Sequence, residues 1–383
     1  MRQNAEFDII VYGATGFTGR LVAEHLARTY GVGGEVKWAM AGRSADKLAA
    51  VRDEIGAPAD TPLVVADADD PASLKAMVER AKAIVTTVGP YQLYGEGLVA
   101  ACVAAGTDYL DLCGEPLWMR KMIDAHHARA QETGARIVFS CGFDSIPFEL
   151  GVFFLEQEAK ARFGRTLPRV KGRVRKMKGG FSGGTAASLK ATLASLRADP
   201  SLMALMIDPF ALTPGFKGPD QPAGDKVEED ADLGATVGPF VMAAINTRNV
   251  HRSNLLTGHG YGADLVYDEM VVVDPNAPPA PALGAEGGPK PGEGPSKEER
   301  ESGFFDVAFI GSDEAGHKLQ VGVTGDKDPG YGCTSKMIAE SAITLIGPCA
   351  DVKGGVWTPG AAMGMALVDR LRAKAGMTFE VEA

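Results

Sequence analysis

Asp8-Ile9-Ile10-Val11-Tyr12-Gly13-Ala14-Thr15-Gly16-Phe17-Thr18-Gly19-Arg20-Leu21 is the stretch that decides the fold. A short β-type apolar run feeds a glycine-punctuated turn, and the turn opens an amphipathic helix carrying Leu21, Val22, Leu26 and Tyr30. A dinucleotide pyrophosphate requires this context. Gly13 permits the tight turn, Gly16 lets the backbone approach the phosphates, and Gly19 lets the helix pack closely on the strand. The helix N-terminus then faces the negative charge. Thr15, Phe17 and Thr18 lie between these glycines and complete the expected cofactor loop.

Which dinucleotide binds is legible at the end of the second strand. Val36-Lys37-Trp38-Ala39-Met40-Ala41 runs into Gly42-Arg43-Ser44, and Asp46-Lys47-Leu48 starts the next helix. An NAD-selective fold places a carboxylate about 20 residues after the last glycine to hold the ribose hydroxyls. This chain has Gly42, Arg43 and Ser44 there. A guanidinium pairs with a 2′-phosphate and a hydroxyl donates to it. NADP(H) is therefore the expected cofactor. The competing reading of Arg43 is a solvated side chain in a βα loop.

The alternation continues with Leu63 to Asp67, a helix from Pro71 to Lys82 behind an Asp70 N-cap, and a strand from Ala83 to Val88. A small-residue helix from Gly97 to Ala105, a strand from Asp108 to Leu112, a helix from Trp118 to Thr133 and a strand from Ala135 to Ser140 follow. Strands alternating with helices over residues 1–145 predict a Rossmann-type doubly wound parallel sheet. Ligands lie beyond the carboxyl ends of such strands. That position nominates Asp67, then Val88-Gly89-Pro90-Tyr91 with Tyr94, then Cys113-Gly114-Glu115-Pro116, then Cys141-Gly142-Phe143-Asp144-Ser145-Ile146-Pro147. Asp67, Val88, Gly89, Pro90, Tyr91, Cys141 and Gly142 are expected against the cofactor. Asp144 or Ser145 also has the grammar of a helix cap, with Pro147 in the first turn. Cys141 reads better as a buried small residue than as a nucleophile.

Beyond Gly142 the pattern changes. A helix from Ile146 to Phe163 precedes Arg169-Val170-Lys171-Gly172-Arg173-Val174-Arg175, a period-two run with basic residues on one face. That face suits an acidic carrier protein or coenzyme A phosphates, or is simply solvated. Phe240 to Ile245, Asp264 to Val273, Phe304 to Ile310 and His317 to Thr324 are further strand candidates. Residues 146–333 are thus expected to form a second, α+β domain with a mostly antiparallel sheet, and 334–383 to pack back on the first. Glycines crowd Gly179-Gly180-Phe181-Ser182-Gly183-Gly184-Thr185 just before a helix from Ala186 to Arg197. They serve either a ligand contacting the backbone, with Ser182 and Thr185 as donors, or a tight β-to-α turn. Pro275 to Gly303, rich in Pro, Gly and charge, is expected as a flexible exposed loop, either a lid or a bland insertion.

The chain's 383 residues predict two domains, and a net charge of −10 argues against general nucleic-acid binding. No apolar run approaches the roughly 18 residues that span a bilayer. The N-terminus has no secretory character. The five cysteines are scattered without metal or disulfide spacing, as in a cytoplasmic protein. Adjacent His126 and His127 point different ways from a helix and make a poor metal site. Edge strands in the second domain leave a homodimer open.

Gly13 to Gly19, Ala41-Gly42-Arg43, Val88 to Tyr91 and Cys141 to Pro147 together resemble the saccharopine dehydrogenase-like superfamily. Ser182-Gly183-Gly184-Thr185 and the tail Gly354-Gly355-Val356-Trp357-Thr358-Pro359-Gly360-Ala361-Ala362-Met363-Gly364 are similar to its trans-acting enoyl reductase branch. The resemblance implies an NADP-dependent reductase that saturates double bonds on acyl thioesters made by polyketide synthases, with an acyl carrier protein as the expected partner. Such chemistry needs hydride at the β carbon, an enolate stabiliser and a proton for the α carbon. Tyr91, Tyr94, Asp144, Ser145 and Thr185 are the candidates for the last two tasks, with the Tyr91 phenol leading as proton donor. No Tyr-x-x-x-Lys pair occurs, since Ser335 stands four positions after Tyr331. An opine-type dehydrogenase acting on an amino-acid imine and a non-catalytic NADPH-binding protein are the alternatives.

Overall fold

The computed structural model describes residues 5–180, 183–276 and 292–382. In the N-terminal part, strands β1 (Phe7–Tyr12), β2 (Trp38–Gly42), β3 (Leu63–Val65), β4 (Ala81–Thr86), β5 (Asp108–Leu110) and β6 (Arg136–Val138) alternate with helices. These are α1 (Phe17–Tyr30), α2 (Ala45–Glu54), α3 (Pro71–Val78), α4 (Tyr91–Ala105) and α5 (Pro116–Thr133). Helix α6 (Ile146–Phe163) leads into β7 (Arg169–Lys178), helices α7 (Gly183–Ala198) and α8 (Leu202–Ile207), and strands β8 (Glu228–Asp230) and β9 (Ala235–Pro239). Then come α9 (Ala243–Leu256), β10 (Val266–Val272), α10 (Lys297–Glu301), β11 (Phe304–Ser312) and β12 (Lys318–Gly325). A π-helical turn (Pro329–Cys333), α11 (Thr334–Ile346), β13 (Gly355–Trp357), α12 (Pro359–Lys374) and β14 (Met377–Glu382) complete the chain.

Two seven-stranded sheets result, with orders β13-β6-β5-β4-β1-β2-β3 and β14-β12-β11-β7-β10-β9-β8. The first is parallel throughout. Its order reverses between β1 and β4, which opens the ligand crevice beyond their carboxyl ends. Side chains of β1 alternate between two cores: Ile9 and Val11 pack on one face, Ile10 and Tyr12 on the other. A strand buried on both faces reads as the continuous apolar run seen in the sequence. The second sheet is antiparallel except where β10 runs parallel to β7. Phe148, Leu155, Val307 and Phe309 share one core with Ile9 and Val11, so apolar packing is continuous between the sheets.

Several sequence expectations change. Helix α3 stops at Val78 and β4 begins at Ala81, because Lys82 belongs to the strand that carries Ala83 to Val85 inward. Phe240 to Ile245 is not a strand. Pro239 closes β9 and the chain turns into α9, burying Phe240 and Ile245. The C-terminal stretch serves both sheets: β13 pairs with β6, whereas β14 pairs with β12. Of the expected loop from Pro275 to Gly303, residues 277–291 lie outside the described part. Its end is folded, as α10 starts with a capping box between Ser296 and Glu299. Arg300 lies 5.5 Å from the Phe17 ring, and the Arg300 carbonyl accepts from the Asp328 amide at 3.0 Å.

The basic run of β7 is neutralised from within. Arg169 pairs with Asp268, Lys171 with Asp232 at 2.7 Å, and Arg173 with Asp230 at 2.7 Å and Asp268 at 2.8 Å. Arg175 bridges Asp306 at 2.5 Å and Glu382 at 2.6 Å. Cations with committed partners are not a free acidic-partner surface.

Candidate functional site

The dinucleotide cradle forms where β1 turns into α1. Gly13 has φ +90°, and a Cβ there would stand 2.7 Å from Val88 Cγ2 and 3.0 Å from Thr87 Oγ1. A Cβ on Gly19 would collide with the Gly13 carbonyl, so only glycine lets helix and strand meet. Gly16 is the N-cap of α1, and neither a capping side chain nor an acidic first-turn residue satisfies that helix mouth. Its amides suit an anion. The mouth of α4 is handled differently: Glu115 accepts from the Tyr91 amide at 2.9 Å and the Gln92 amide at 2.8 Å. One helix mouth is closed by the protein's own carboxylate, and the other carries no capping side chain.

At the carboxyl end of the second strand, Gly42 ends β2 and Ser44 caps α2 by accepting from the Lys47 amide at 3.3 Å. Arg43 is exposed and makes no hydrogen bond or ion pair among the described residues. Thr15 lies beside Gly42, its Oγ1 3.7 Å from where a Cβ would sit. Asp67 is half-buried past β3, accepting from the Asp69 amide at 3.1 Å. Asp67 and Arg43 both act on Tyr12, whose phenol is pushed up to about 12, chiefly by burial.

Beyond β1, β4, β5 and β6 lies a cavity of about 330 Å³. Its walls come from both halves of the chain. Thr18, Thr87, Gly89, Leu112, Gly114 and Gly142 stand on the first-sheet side. Met177, Leu189, Met206, Phe240, Val241, Met242 and Ile245 supply an apolar wall on the other. No lysine or arginine lines it among the described residues.

Asp144 faces this cavity, and its carboxyl has no hydrogen-bond partner among the described residues. Burial alone raises its pKa to about 7, since desolvation disfavours the charged form. The loop that presents it is fixed from several sides. The Phe143 amide donates to Thr334 Oγ1 at 2.9 Å, and the Phe143 ring packs edge-on against Phe148 and Phe305. Ser145 is buried, with its hydroxyl accepting from Asn249 Nδ2 at 2.8 Å. The Asp144 side chain therefore enters the cavity, while the neighbouring Ser145 hydroxyl is spent on holding α9.

Tyr91 lines the cavity but its hydroxyl is committed to the backbone. It donates to the Thr86 carbonyl at 3.3 Å and accepts from the Leu112 amide at 3.1 Å. Burial and the nearby Asp111 hold its pKa well above the ordinary phenol value. Tyr94 is exposed. Thr185 lines the cavity with its Oγ1 3.4 Å from the hydroxyl of Tyr331, which also lines it. Tyr331 was not nominated by the sequence. It arrives on the π-helical turn, capped by Asp328, which accepts from the amides of Tyr331 at 3.1 Å and Gly332 at 2.6 Å. The Tyr331 ring meets Phe17 of the glycine loop edge-on at 5.1 Å, which ties the cavity to the cofactor cradle.

Val88 donates its amide to Thr86 Oγ1 at 3.3 Å, and Pro90 is the N-cap of α4. Cys141 is fully buried, donates its thiol to the Val138 carbonyl at 3.5 Å and has a pKa well above the ordinary thiol value. That is the inert packing role. A Cβ on Gly142 would stand 2.9 Å from both Leu112 and Thr334, so Gly142 is where two elements touch. Ser182 lies outside the described residues.

Residues 9–138 match the saccharopine dehydrogenase NADP-binding domain, which shows NADP(H) as the dinucleotide of this domain. A Mycobacterium tuberculosis protein provisionally named a trans-acting enoyl reductase is 40% identical, over 98% of this chain and 97% of its own. The trans-acting enoyl reductase of Mycobacterium ulcerans is 39% identical, over 96% of each chain. Among solved structures, yeast saccharopine dehydrogenase (L-Glu forming) is similar in fold, with a TM-score of 0.57 at 11% identity over 98% of this chain and 100% of that one. With the order of the first sheet and its glycine cradle, these likenesses show that the chain belongs to the saccharopine dehydrogenase-like family, in its trans-acting enoyl reductase branch.

Proposed function

We propose that this chain is an NADP-dependent oxidoreductase that saturates an α,β-unsaturated acyl thioester presented in trans by a polyketide synthase or its acyl carrier protein. The observation that carries this reading is the pairing of an apolar cavity, cation-free among the described residues, with one carboxyl that has no partner among them and whose pKa is raised to about 7. The names of the full-length relatives support it.

The glycine loop of Gly13, Thr15, Gly16, Phe17, Thr18 and Gly19 would hold the pyrophosphate. Gly42, Arg43 and Ser44 would hold the phosphorylated ribose, and the segments around Val88 and Gly142 the nicotinamide side. When bound, the dihydronicotinamide supplies the hydride that the β carbon needs. Asp144, protonated near neutrality, is assigned as the donor to the α carbon. The Tyr331 and Thr185 hydroxyls are assigned to the thioester oxygen, where negative charge grows in the transition state. The apolar wall excludes water and strengthens those hydrogen bonds. Tyr91 and Ser145 are assigned to holding the strand ends and α9 in register.

An opine-type reaction needs cations that grip substrate carboxylates. The described cavity walls offer none. The test is reduction of crotonyl-N-acetylcysteamine by NADPH deuterated at its transferable position. The expected product is butyryl thioester with cofactor deuterium at the β carbon and a solvent hydrogen at the α carbon. Label arriving instead on the amino-bearing carbon of a keto acid and amino acid adduct would replace this reading with the opine one.

A further inference from the structure

Helix α7 has two faces of different chemistry. Thr185, Ser188, Leu189 and Thr192 line the cavity. Lys190, Leu193 and Arg197, spaced three and four residues apart and so sharing one side of the helix, are exposed. The inner face is secured to the first sheet: Ser188 donates to Glu115 at 2.8 Å, and Gln92 is bonded to Thr192 at 3.1 Å and Ser195 at 2.8 Å. Leu193 is 45% exposed.

Lys190 and Arg197 make no hydrogen bond or ion pair among the described residues, in a chain of net charge −10. The contrast with β7 is informative, since every cation of that run is matched by a carboxylate of this chain. Two unmatched cations flanking an exposed leucine on a cavity-lining helix have the complementarity of a surface for an acidic, partly apolar partner.

We propose that the outer face of α7, with Lys190, Leu193 and Arg197, docks an acidic carrier protein that passes its thioester-bound acyl chain into the cavity that the same helix lines. The proposal rests on the enoyl thioester reading. Lys190 and Arg197 steer and orient the carrier, and Leu193 loses its exposed area against it. A free coenzyme A thioester needs no such surface.

The test compares the native protein with the Lys190→Glu/Arg197→Glu variant, and separately with Leu193→Asp, on three substrates under NADPH. These are crotonyl-acyl carrier protein, crotonyl-CoA and crotonyl-N-acetylcysteamine. The expected result for each variant is a loss of about tenfold or more in kcat/KM on the carrier substrate. The two small thioesters change by less than about twofold, and raised salt narrows the difference for the charge-reversed variant. Equal losses on crotonyl-CoA would overturn the proposal in favour of a phosphate subsite, and an unchanged carrier reaction would overturn it outright. Fluorescence anisotropy of labelled crotonyl-carrier, titrated with the NADPH-loaded protein, separates docking from chemistry. Binding that α7 charge reversal abolishes, without turnover of any thioester by the native protein, would sink the enoyl reading and keep the surface. Turnover of crotonyl-N-acetylcysteamine with carrier binding indifferent to α7 would do the reverse.

Discussion

Asp144 and Tyr91 divide between them what the sequence could only pool. Both stand at strand ends near the crevice, yet only Asp144 presents an uncommitted group to the cavity. Asp144→Asn is expected to lower kcat on an enoyl thioester by about 10²- to 10⁴-fold, the usual worth of a positioned acid. Because Asp144 must carry its proton to donate it, native kcat falls as pH rises through about 7, and the asparagine variant loses that alkaline limb. A pH-rate profile on both proteins checks this. Tyr91→Phe leaves kcat within about threefold but strands the half-buried Leu112 amide, a loss of about 1 kcal/mol measurable by urea unfolding. At the other end of the crevice, Arg43→Asp is expected to weaken NADPH binding by about 10- to 100-fold and to gain NADH binding, read by titration calorimetry. Gly13, Gly16 and Gly19 were legible because their spacing is local, and Gly16 and Gly19 both meet the Gly13 carbonyl within that turn. Tyr331 was not. It lies 146 residues from Thr185 in the chain, and only the Asp328-capped turn brings the two hydroxyls together.

Among the elements, local pattern succeeded where burial is two-sided or strictly alternating, as in β1, β10 and β12. It failed where a short apolar run has no periodicity. Phe240 to Ile245 is as apolar as a strand, but it is the entry to α9, which buries Phe240 and its own first-turn Ile245 and leaves Val241 exposed. The three residues of β13 offer no pattern either, and the strand exists because the β6 edge and His127 receive it. The basic face of β7 was visible, but its partners Asp230, Asp268, Asp306 and Glu382 are spread over the rest of the chain. Glu115 shows an element-scale device. It caps α4 and reaches Ser188, so one carboxylate joins the strand β5 loop, the first turn of α4 and the cavity-lining α7. Glu115→Ala is expected to cost about 2 kcal/mol through the lost cap and to speed amide hydrogen exchange in α7 before other helices. Exchange confined to α5 would contradict that linkage.

The whole molecule buries carboxyls that favour their protons. Burial raises Asp111, Asp144 and Glu149 to about 7, and Glu156 and Glu269 to about 8. Each folded-state value exceeds the unfolded one, so the folded chain holds extra protons between the two and loses stability as pH rises through that window. Below pH 6.5 the buried His251, lowered to about 4, works in the opposite direction, as do His126 and His127, which burial also lowers, because the unfolded chain then binds the extra protons. Above it that contribution fades and the carboxyls dominate. Thermal unfolding without cofactor is therefore expected to show Tm falling from pH 6.5 to pH 8, and a rising Tm there would refute the assignment. The joining of two sheets by one continuous core has a further consequence, since the cavity draws walls from both and neither half holds it alone. The most direct measurement is NADPH consumption by the purified full chain offered crotonyl-N-acetylcysteamine or, separately, a keto acid with lysine. The account predicts saturable oxidation with the enoyl thioester and none above background with the keto acid pair. Oxidation with the keto acid pair and not with the thioester would contradict it.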